Sequence, residues 1–455
     1  MPGPLHSIPA HAHPTQLHCT PPPTADSVLV RASRVTGIGR APDPGAAAPR
    51  HPTWLPWLLG FLTAIGPASI DMYLPAFPAI EASFGAPSGS AQITLASYFA
   101  GLAFGQISQG TLSDRFGRRG PIMIGTAIYA VASVGAALAP SIFWLAIFRA
   151  ISAFGGAAGS VIPRAMVRDL ATGHAAAVMM SQLTLVLGVA PILAPSLGGA
   201  VLIFGSWRWI FWILAAYATI CCAVVWFWLP DTLPPERRIA LHPLQQLRRY
   251  SAILRDRWFV SHAAMACSAS VSFFAYLSGS SPVFIRGFGL SPSQYGLLFG
   301  ACSVMLIVNS QINARLVRRV GPSRLLRVVS RVHLCATGAL MVVAFWPVPS
   351  FLAVFAPLLV AVGCMGFLNP NTVVGALTHQ AHQAGSASAV MGTGQFLLGA
   401  VGGLVVGFFS DGTPRGMAAL MLLGSICLVI ADRLRPVAPA ANARPAALDR
   451  PPGGS

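Results

Sequence analysis

An aspartate and an arginine stand inside stretches otherwise apolar enough for a lipid bilayer. Asp71 occurs in AIGPASIDMYLP (64–75), and no basic residue follows it until Arg115. Arg149 occurs in LAIFRAISAFGGAAGS (145–160). An arginine at the centre of a membrane helix costs about 2.5 to 3.5 kcal/mol on insertion scales, so such residues find partners and serve a function. A carboxyl group there feels two opposed forces. Loss of water favours the neutral acid, and a nearby guanidinium favours the carboxylate. A group balanced between them can load a proton on one side of a membrane and release it on the other. The polar and aromatic residues that could form a pocket around it are Tyr73, Tyr98, Phe273, Phe274, Tyr276, Asn309, Asn369, Asn371 and Gln395. Asp71 is the one acid well inside a predicted span. Neutral, zwitterionic or monocationic amphiphiles therefore fit better than dications.

The elements that must position these residues follow from hydropathy. Of 455 residues, 55% are hydrophobic and only 9% charged, against about 25% charged in a soluble domain. Apolar runs recur near 54–77, 92–110, 121–139, 141–163, 177–203, 208–229, 258–282, 293–314, 325–345, 350–372, 386–409 and 416–434. Each approaches the roughly 20 residues that a helix needs to cross the hydrocarbon. Twelve membrane helices are predicted, with Asp71 on the first and Arg149 on the fourth. If the first runs outward to Phe77 and the fourth enters near Ser141, Asp71 lies about 9 Å and Arg149 about 12 Å below the outer ends. The two charges then share a level and are expected to be partners. An alternative stays open: Asp71 caps a break made by Gly66-Pro67, or faces the outer interface beside Met72 and Tyr73.

The net charge is +17, and every basic residue is arginine. Such an excess could suggest nucleic acid, but its distribution points to topology. Arg115, Arg118 and Arg119 follow the second span, Arg164 and Arg168 the fourth, six arginines from Arg237 to Arg257 the sixth, and six from Arg315 to Arg331 flank the eighth. The opposite loops hold only Arg208, Arg286 and Arg415. By the positive-inside rule both termini are cytoplasmic, and nucleic acid is not an expected partner. Residues 230–257 form a polar cytoplasmic linker between an N-terminal six-helix bundle (51–229) and a C-terminal one (258–435). RFGRRGP (115–121) recurs as RLVRRVGP (315–322), and LGGAVLIFGS (197–206) as VGGLVVGFFS (401–410). Parallel repeats with a site between them are a transporter plan. Residues 1–50 and 436–455 are expected to be disordered tails. The first could also be an over-long start or a transit peptide. The eight cysteines show no CxxC spacing, and His379 and His382 in THQAHQ (378–383) are expected to be solvated, so no metal site is expected.

GTLSDRFGRR (110–119) resembles the signature loop of the major facilitator superfamily, G-x-L-x-D-R-x-G-R-R/K. Gly110, Asp114, Arg115, Gly117, Arg118 and Arg119 all fit, while the second-half copy has Ala314 and Val317 in place of the acid and the glycine. LGVAPILAPSLGGAVL (187–202) is similar to the antiporter motif G-x-x-x-G-P-x-x-G-G, with Gly188, Pro191, Pro195, Gly198 and Gly199, but Ala194 replaces a glycine. DMYLP (71–75), this stretch and SWRWIFW (206–212) together resemble the Bcr/CflA branch of the drug–proton antiporters, over roughly 55–435. The resemblance implies an all-α membrane protein with the twelve-helix major facilitator fold. It implies a monomer of the bacterial inner membrane that exports small amphiphilic drugs of the bicyclomycin or phenicol type. Protons are the coupling ion, with no other cofactor. It places proton coupling on Asp71, in D-x-x-x-P with Pro75, and on Arg149, in R-x-x-x-x-x-G with Gly155. It makes the 110–119 loop a latch of the inward gate and the glycine–proline motif a hinge. The alternative on the same fold is a proton-coupled importer of a small metabolite. A lipid-modifying enzyme would need paired acids or a histidine with an acid in the membrane, and no DxxxD or HxxxxD pair occurs in any predicted span.

Overall fold

In a computed structural model the described residues are Gly3, Pro52, 54–238 and 243–436, and they form helices and no strand. The two tail readings fall outside them, apart from Gly3 and Pro436. The helices are α1 (Leu55–Ser83), α2 (Ser90–Phe116), α3 (Arg119–Ala137), α4 (Ile142–Leu170), α5 (Gly173–Phe204), α6 (Arg208–Trp228), α7 (Pro243–Arg255), α8 (Arg257–Gly287), α9 (Pro292–Val320), α10 (Pro322–Ala344), α11 (Phe351–Gln380), α12 (Ala384–Phe408) and α13 (Arg415–Arg433). All but α7 are long enough to span a bilayer, and among the described residues 11 are also apolar enough. The exception is α2, whose Gln92 and Gln109 are buried between helices rather than facing lipid.

Local chemistry sets the ends. Ser141, Asp256, Ser291 and Ser350 accept backbone N–H bonds at the starts of α4, α8, α9 and α11, satisfying donors that have no intrahelical partner. At the arginine-rich end, α2, α4 and α9 run several residues past the predicted spans, because hydropathy marks only the part in hydrocarbon. The predicted linker is not wholly extended: α7 folds within it.

α4 packs on α2 and α3, α3 on α6, and α1 on α5 and α4. In the second half, α8 packs on α13, α12 and α11, and α10 on α11 and α13. The halves of the sequence meet mainly through α2 with α12 and α5 with α9. Small residues allow these approaches. A Cβ at Gly101 of α2 would strike the Ala150 carbonyl of α4.

Candidate functional site

The helical period divides α1 into two faces. Thr63, Gly66, Pro67, Ile70 and Asp71 line an internal cavity, which is the spacing of a single helix face. Leu62, Ile65, Ser69 and Tyr73 repeat on the other face and are fully buried. Successive residues turn by about 100°, so Ser69 and Asp71 point about 200° apart. Asp71 ends the regular piece Ile65–Asp71 and is followed by a tight turn at Leu74–Ala76. Pro75 cannot donate to the Asp71 carbonyl, nor Pro67 to that of Thr63. Because α1 continues to Ser83, Asp71 lies about 18 Å from its outer end, about twice the expected depth. The interfacial reading of Asp71 is thereby corrected.

Arg149 is fully buried behind α1. Its Nη1 donates to the Ser69 carbonyl (2.9 Å) and to Ser69 Oγ (3.0 Å). Its guanidinium lies 4.4 Å from the Tyr73 ring centre and 4.2 Å from that of Tyr98, a desolvated cation–π arrangement. Among the described residues Nε and Nη2 have no hydrogen-bond partner. Among the described residues Arg149 enters no ion pair within 4.0 Å. The expected contact with Asp71 is therefore not made in this conformer: Arg149 grips the buried face of α1, and Asp71 occupies the open one.

The cavity measures about 640 Å³ and is walled by Phe273, Phe274, Tyr276, Phe299 and Phe396, with Gln106, Ser270, Asn369 and Gln395 as polar groups. It reaches the arginine-rich end, where Asp114, Arg118, Arg164, Arg168, Gln246 and Tyr250 border it. Of the expected pocket residues, Phe273, Phe274, Tyr276, Asn369 and Gln395 line it. Tyr73, Tyr98, Asn309 and Asn371 do not. Tyr73 hydrogen-bonds with Thr94 Oγ1 (2.5 Å) and, with Tyr98, encloses Arg149. Asn309 packs where Gly363 brings α11 against α9. Asn371 Nδ2 donates to Asn313 Oδ1 (2.7 Å). Gln106, Ser270, Phe299 and Phe396 are wall residues that the sequence reading missed. Gln106 stands three positions before the buried Gln109, a polar repeat on α2 that could have been noticed.

The opposite end is shut. Glu81 is 2% exposed, and its Oε1 accepts the backbone N–H groups of Gly89 (2.9 Å) and Ala91 (3.0 Å). Its Oε2 meets Arg286 Nη2 from the second half of the chain at 2.5 Å. Arg286 Nη1 also donates to Ser88 Oγ (2.6 Å), and Gln92 hydrogen-bonds with Ser410 (3.1 Å). Glu81 is a second buried acid on α1 that the span ending at Phe77 excluded. It does not line the cavity.

The profile of the Major Facilitator Superfamily matches residues 59–403. The chain belongs to that superfamily. It is 33% identical over 374 residues to the uncharacterized MFS-type transporter YdgK of Bacillus subtilis (strain 168), covering 82% of this chain and 92% of that one. It is 30% identical over 377 residues to the bicyclomycin resistance protein homolog of Haemophilus influenzae (strain ATCC 51907 / DSM 11121 / KW20 / Rd), with coverage of 82% and 92%. Among solved structures it is similar in fold to a bacterial homolog of the human lysosomal transporter Spinster. The TM-score is 0.66 at 17% identity, over 84% of this chain and 95% of that one. The protein is thus a multi-pass membrane transporter rather than an enzyme.

In this transporter the superfamily loop is tied to its own bundle and to the start of the linker. Arg118 donates from Nη1 to Asp114 Oδ1 (2.5 Å), from Nε to Asp169 Oδ2 (2.8 Å) and from its backbone N–H to Asp231 Oδ1 (2.9 Å). Burial works against the guanidinium charge, but the Asp169 and Asp114 hydrogen bonds outweigh it and hold the Arg118 pKa above the ordinary arginine value. Arg119 donates to the Trp226 carbonyl, and Arg115 stacks on Phe116. Gly117 has φ +91°, and a Cβ there would also strike Asp231. Gly110 lies in the cavity wall.

The glycine–proline motif of α5 packs against the break in α1. Gly198 abuts the Met72 carbonyl, and Gly199 the Pro292 carbonyl at the start of α9. Pro195 frees the Pro191 carbonyl, which lies 3.2 Å from Ser303 Oγ of α9, a hydroxyl whose one proton it shares with the Phe299 carbonyl (3.0 Å), the kind of rescue a membrane proline needs. Gly188 and Pro191 line the cavity. His379 stacks on Trp258 at 4.8 Å, and the His382 side chain lies outside the described ones.

Proposed function

We propose that this transporter exports small amphiphilic compounds, antibiotics among them, in exchange for protons across a bacterial inner membrane, with both termini in the cytoplasm. One observation carries the reading: Asp71 is the deep acid of an aromatic-walled cavity that opens at the arginine-rich end. The positive-inside rule assigns that end to the cytoplasm. A flat apolar solute stacks on Phe273, Phe274 or Phe396, while its cationic or N–H group competes with a proton for the Asp71 carboxylate. When the Glu81–Arg286 end opens and the arginine-rich end closes, outer protons reload Asp71 and displace the solute. The name of the Haemophilus relative supports a drug as cargo. The transporter works as a monomer, and its coupling ion is the proton.

The test is drug susceptibility in a bacterial host lacking its main efflux pumps, with intact protein and Asp71→Asn at equal expression. Intact protein is expected to raise resistance to bicyclomycin or chloramphenicol, and Asp71→Asn to give none. Equal resistance from both would remove the proton role. Uptake of drug into liposomes down an imposed proton gradient, rather than against it, would replace antiport with the importer reading.

A further inference from the structure

A second cavity of about 760 Å³ lies away from the transport site, between α8, α13 and the end of α7. Val260, Ala264, Ser268, Cys427, Ile430 and Leu434 line it, and Arg255 and Arg257 stand at its arginine-rich mouth. We propose that this groove holds one anionic phospholipid of the leaflet on that side, with its phosphate on the two arginines and an acyl chain between α8 and α13.

Three observations carry the assignment. The first is shape. A Cβ at Gly424 of α13 would meet the Ser268 carbonyl and Ser272 N–H of α8 at 2.9 Å, so the helices touch there. Towards the arginine-rich end they part and leave the groove between them. From Arg257 to Ser268 the groove is about 16 Å deep at 1.5 Å per residue, close to the roughly 15 Å of one hydrocarbon leaflet. Its outer lip is open to lipid: Val260 is 40% and Ile430 49% exposed.

The second is charge. Among the described residues neither the Arg255 nor the Arg257 side chain is hydrogen-bonded or ion-paired. The nearby carboxylates are already engaged. Asp256 accepts the Trp258 N–H (2.9 Å) and Gln380 Nε2 (2.7 Å), and Asp432 pairs with Arg435 at 3.0 Å. The mouth is therefore left with uncompensated positive charge at headgroup depth, a setting that attracts anionic lipid.

The third is the adjoining helix. α7 buries Ile253 but exposes Leu247 and Leu254 beside Arg248, Arg249 and Arg255. An apolar edge with arginines beside it suits a helix lying in the interface, and this places its C-terminal Arg255 among the headgroups.

The experiment is native mass spectrometry of the full-length protein, freed of lipid and then given phosphatidylglycerol or phosphatidylcholine with the same acyl chains. Phosphatidylglycerol should be retained preferentially. Arg255→Gln/Arg257→Gln should weaken its retention about 30-fold, taking roughly a tenfold-or-less loss per arginine from the usual attraction of a basic residue to an anionic membrane surface. Arg318→Gln/Arg319→Gln, equally basic but remote, should leave retention unchanged. Ala264→Leu should weaken both lipids by filling the groove. A thermal melt of each variant separates lost binding from lost folding, and the arginine pair decides the matter if Ala264→Leu fails to fold. Equal retention by intact protein and Arg255→Gln/Arg257→Gln, an equal loss from the remote pair, or displacement of the lipid by millimolar inorganic phosphate alone would overturn the proposal.

Discussion

Cutting the Glu81–Arg286 contact should let the closed end of the transporter open more often. Among the described residues Arg286 is the one charged group from the second half of the chain on the Glu81 carboxylate, and it also reaches Ser88. A hydrogen bond to a charged group contributes about 1.5 to 3 kcal/mol. The Arg286 side chain is 31% exposed, so screening reduces this to about 1 to 2 kcal/mol. Arg286→Gln should therefore raise the population with this end open by about 5- to 30-fold. Glu81→Gln keeps an acceptor for the Gly89 and Ala91 N–H groups and should give only about 5-fold, the difference between a charged and a neutral hydrogen bond. Spin labels at Pro87→Cys and Val348→Cys, on loops of the two halves at this end, report the distance by electron paramagnetic resonance. The background replaces all eight native cysteines. A second, longer distance should grow in Arg286→Gln, and Glu81→Gln/Arg286→Gln should match the stronger single variant rather than sum the two. Unchanged distances in Arg286→Gln, or strictly additive effects, would refute the idea that this pair holds the halves together.

Three further outcomes follow from the geometry. Ser303→Ala leaves the Pro191 carbonyl without its partner and should cost about 1 kcal/mol, read as a lower melting temperature with the fold retained; no change would mean the carbonyl finds other relief. Gly117→Ala puts a Cβ at φ +91°, ψ 174° and against Asp231, so it should cost about 1 to 3 kcal/mol and reduce folded yield. A normal yield would show that the 110–119 turn is not held as described. Arg149→Lys keeps the charge but loses the planar stack on Tyr73 and Tyr98, worth about 2 kcal/mol when desolvated. Transport should fall by roughly tenfold or more, and wild-type transport by Arg149→Lys would reduce Arg149 to a point charge.

The sequence revealed what a one-dimensional pattern can hold. Charges inside apolar runs are conspicuous, so Asp71 and Arg149 stood out, and the runs located the helices that carry them. Choosing polar and aromatic groups on spans found Phe273, Phe274, Tyr276, Asn369 and Gln395, which line the cavity, but also took in Tyr73, Tyr98, Asn309 and Asn371, which do not. What failed was azimuth. Tyr73 lies four residues after Ser69 and so shares the face that Arg149 grips, yet which face looks towards α4 depends on how closely Gly156 and Gly159 let α1 approach. That is a packing result, not a spacing. Glu81 was lost because the apolar run was ended at Phe77, whereas the chain turns tightly at Leu74–Ala76 and the helix resumes to Ser83. α7 has no continuous apolar run, and its few leucines among arginines and glutamines gave no span signal.

The separation of Asp71 from Arg149 bears on how coupling works. A direct buried pair would resist the proton, since breaking such a pair costs about 3 to 5 kcal/mol. Here the arginine is held instead by Ser69 and two tyrosine rings, on the far side of the same short helical piece. That piece, Ile65–Asp71, is set off by Pro67 and Pro75, which cannot donate to the Thr63 and Asp71 carbonyls. Arg149 thus fixes the orientation of a segment whose other face carries Asp71, the proton site proposed above. A turn of this segment would move Asp71 and strain the Arg149 contacts together, so the two charges are linked through the backbone between them. Two variants then separate their roles. Asp71→Asn should abolish proton-driven exchange and the pH dependence of drug binding, leaving the part of the affinity that stacking on the aromatic wall supplies. Arg149→Lys should disturb drug binding and exchange alike, because it loosens the segment that shapes the cavity wall.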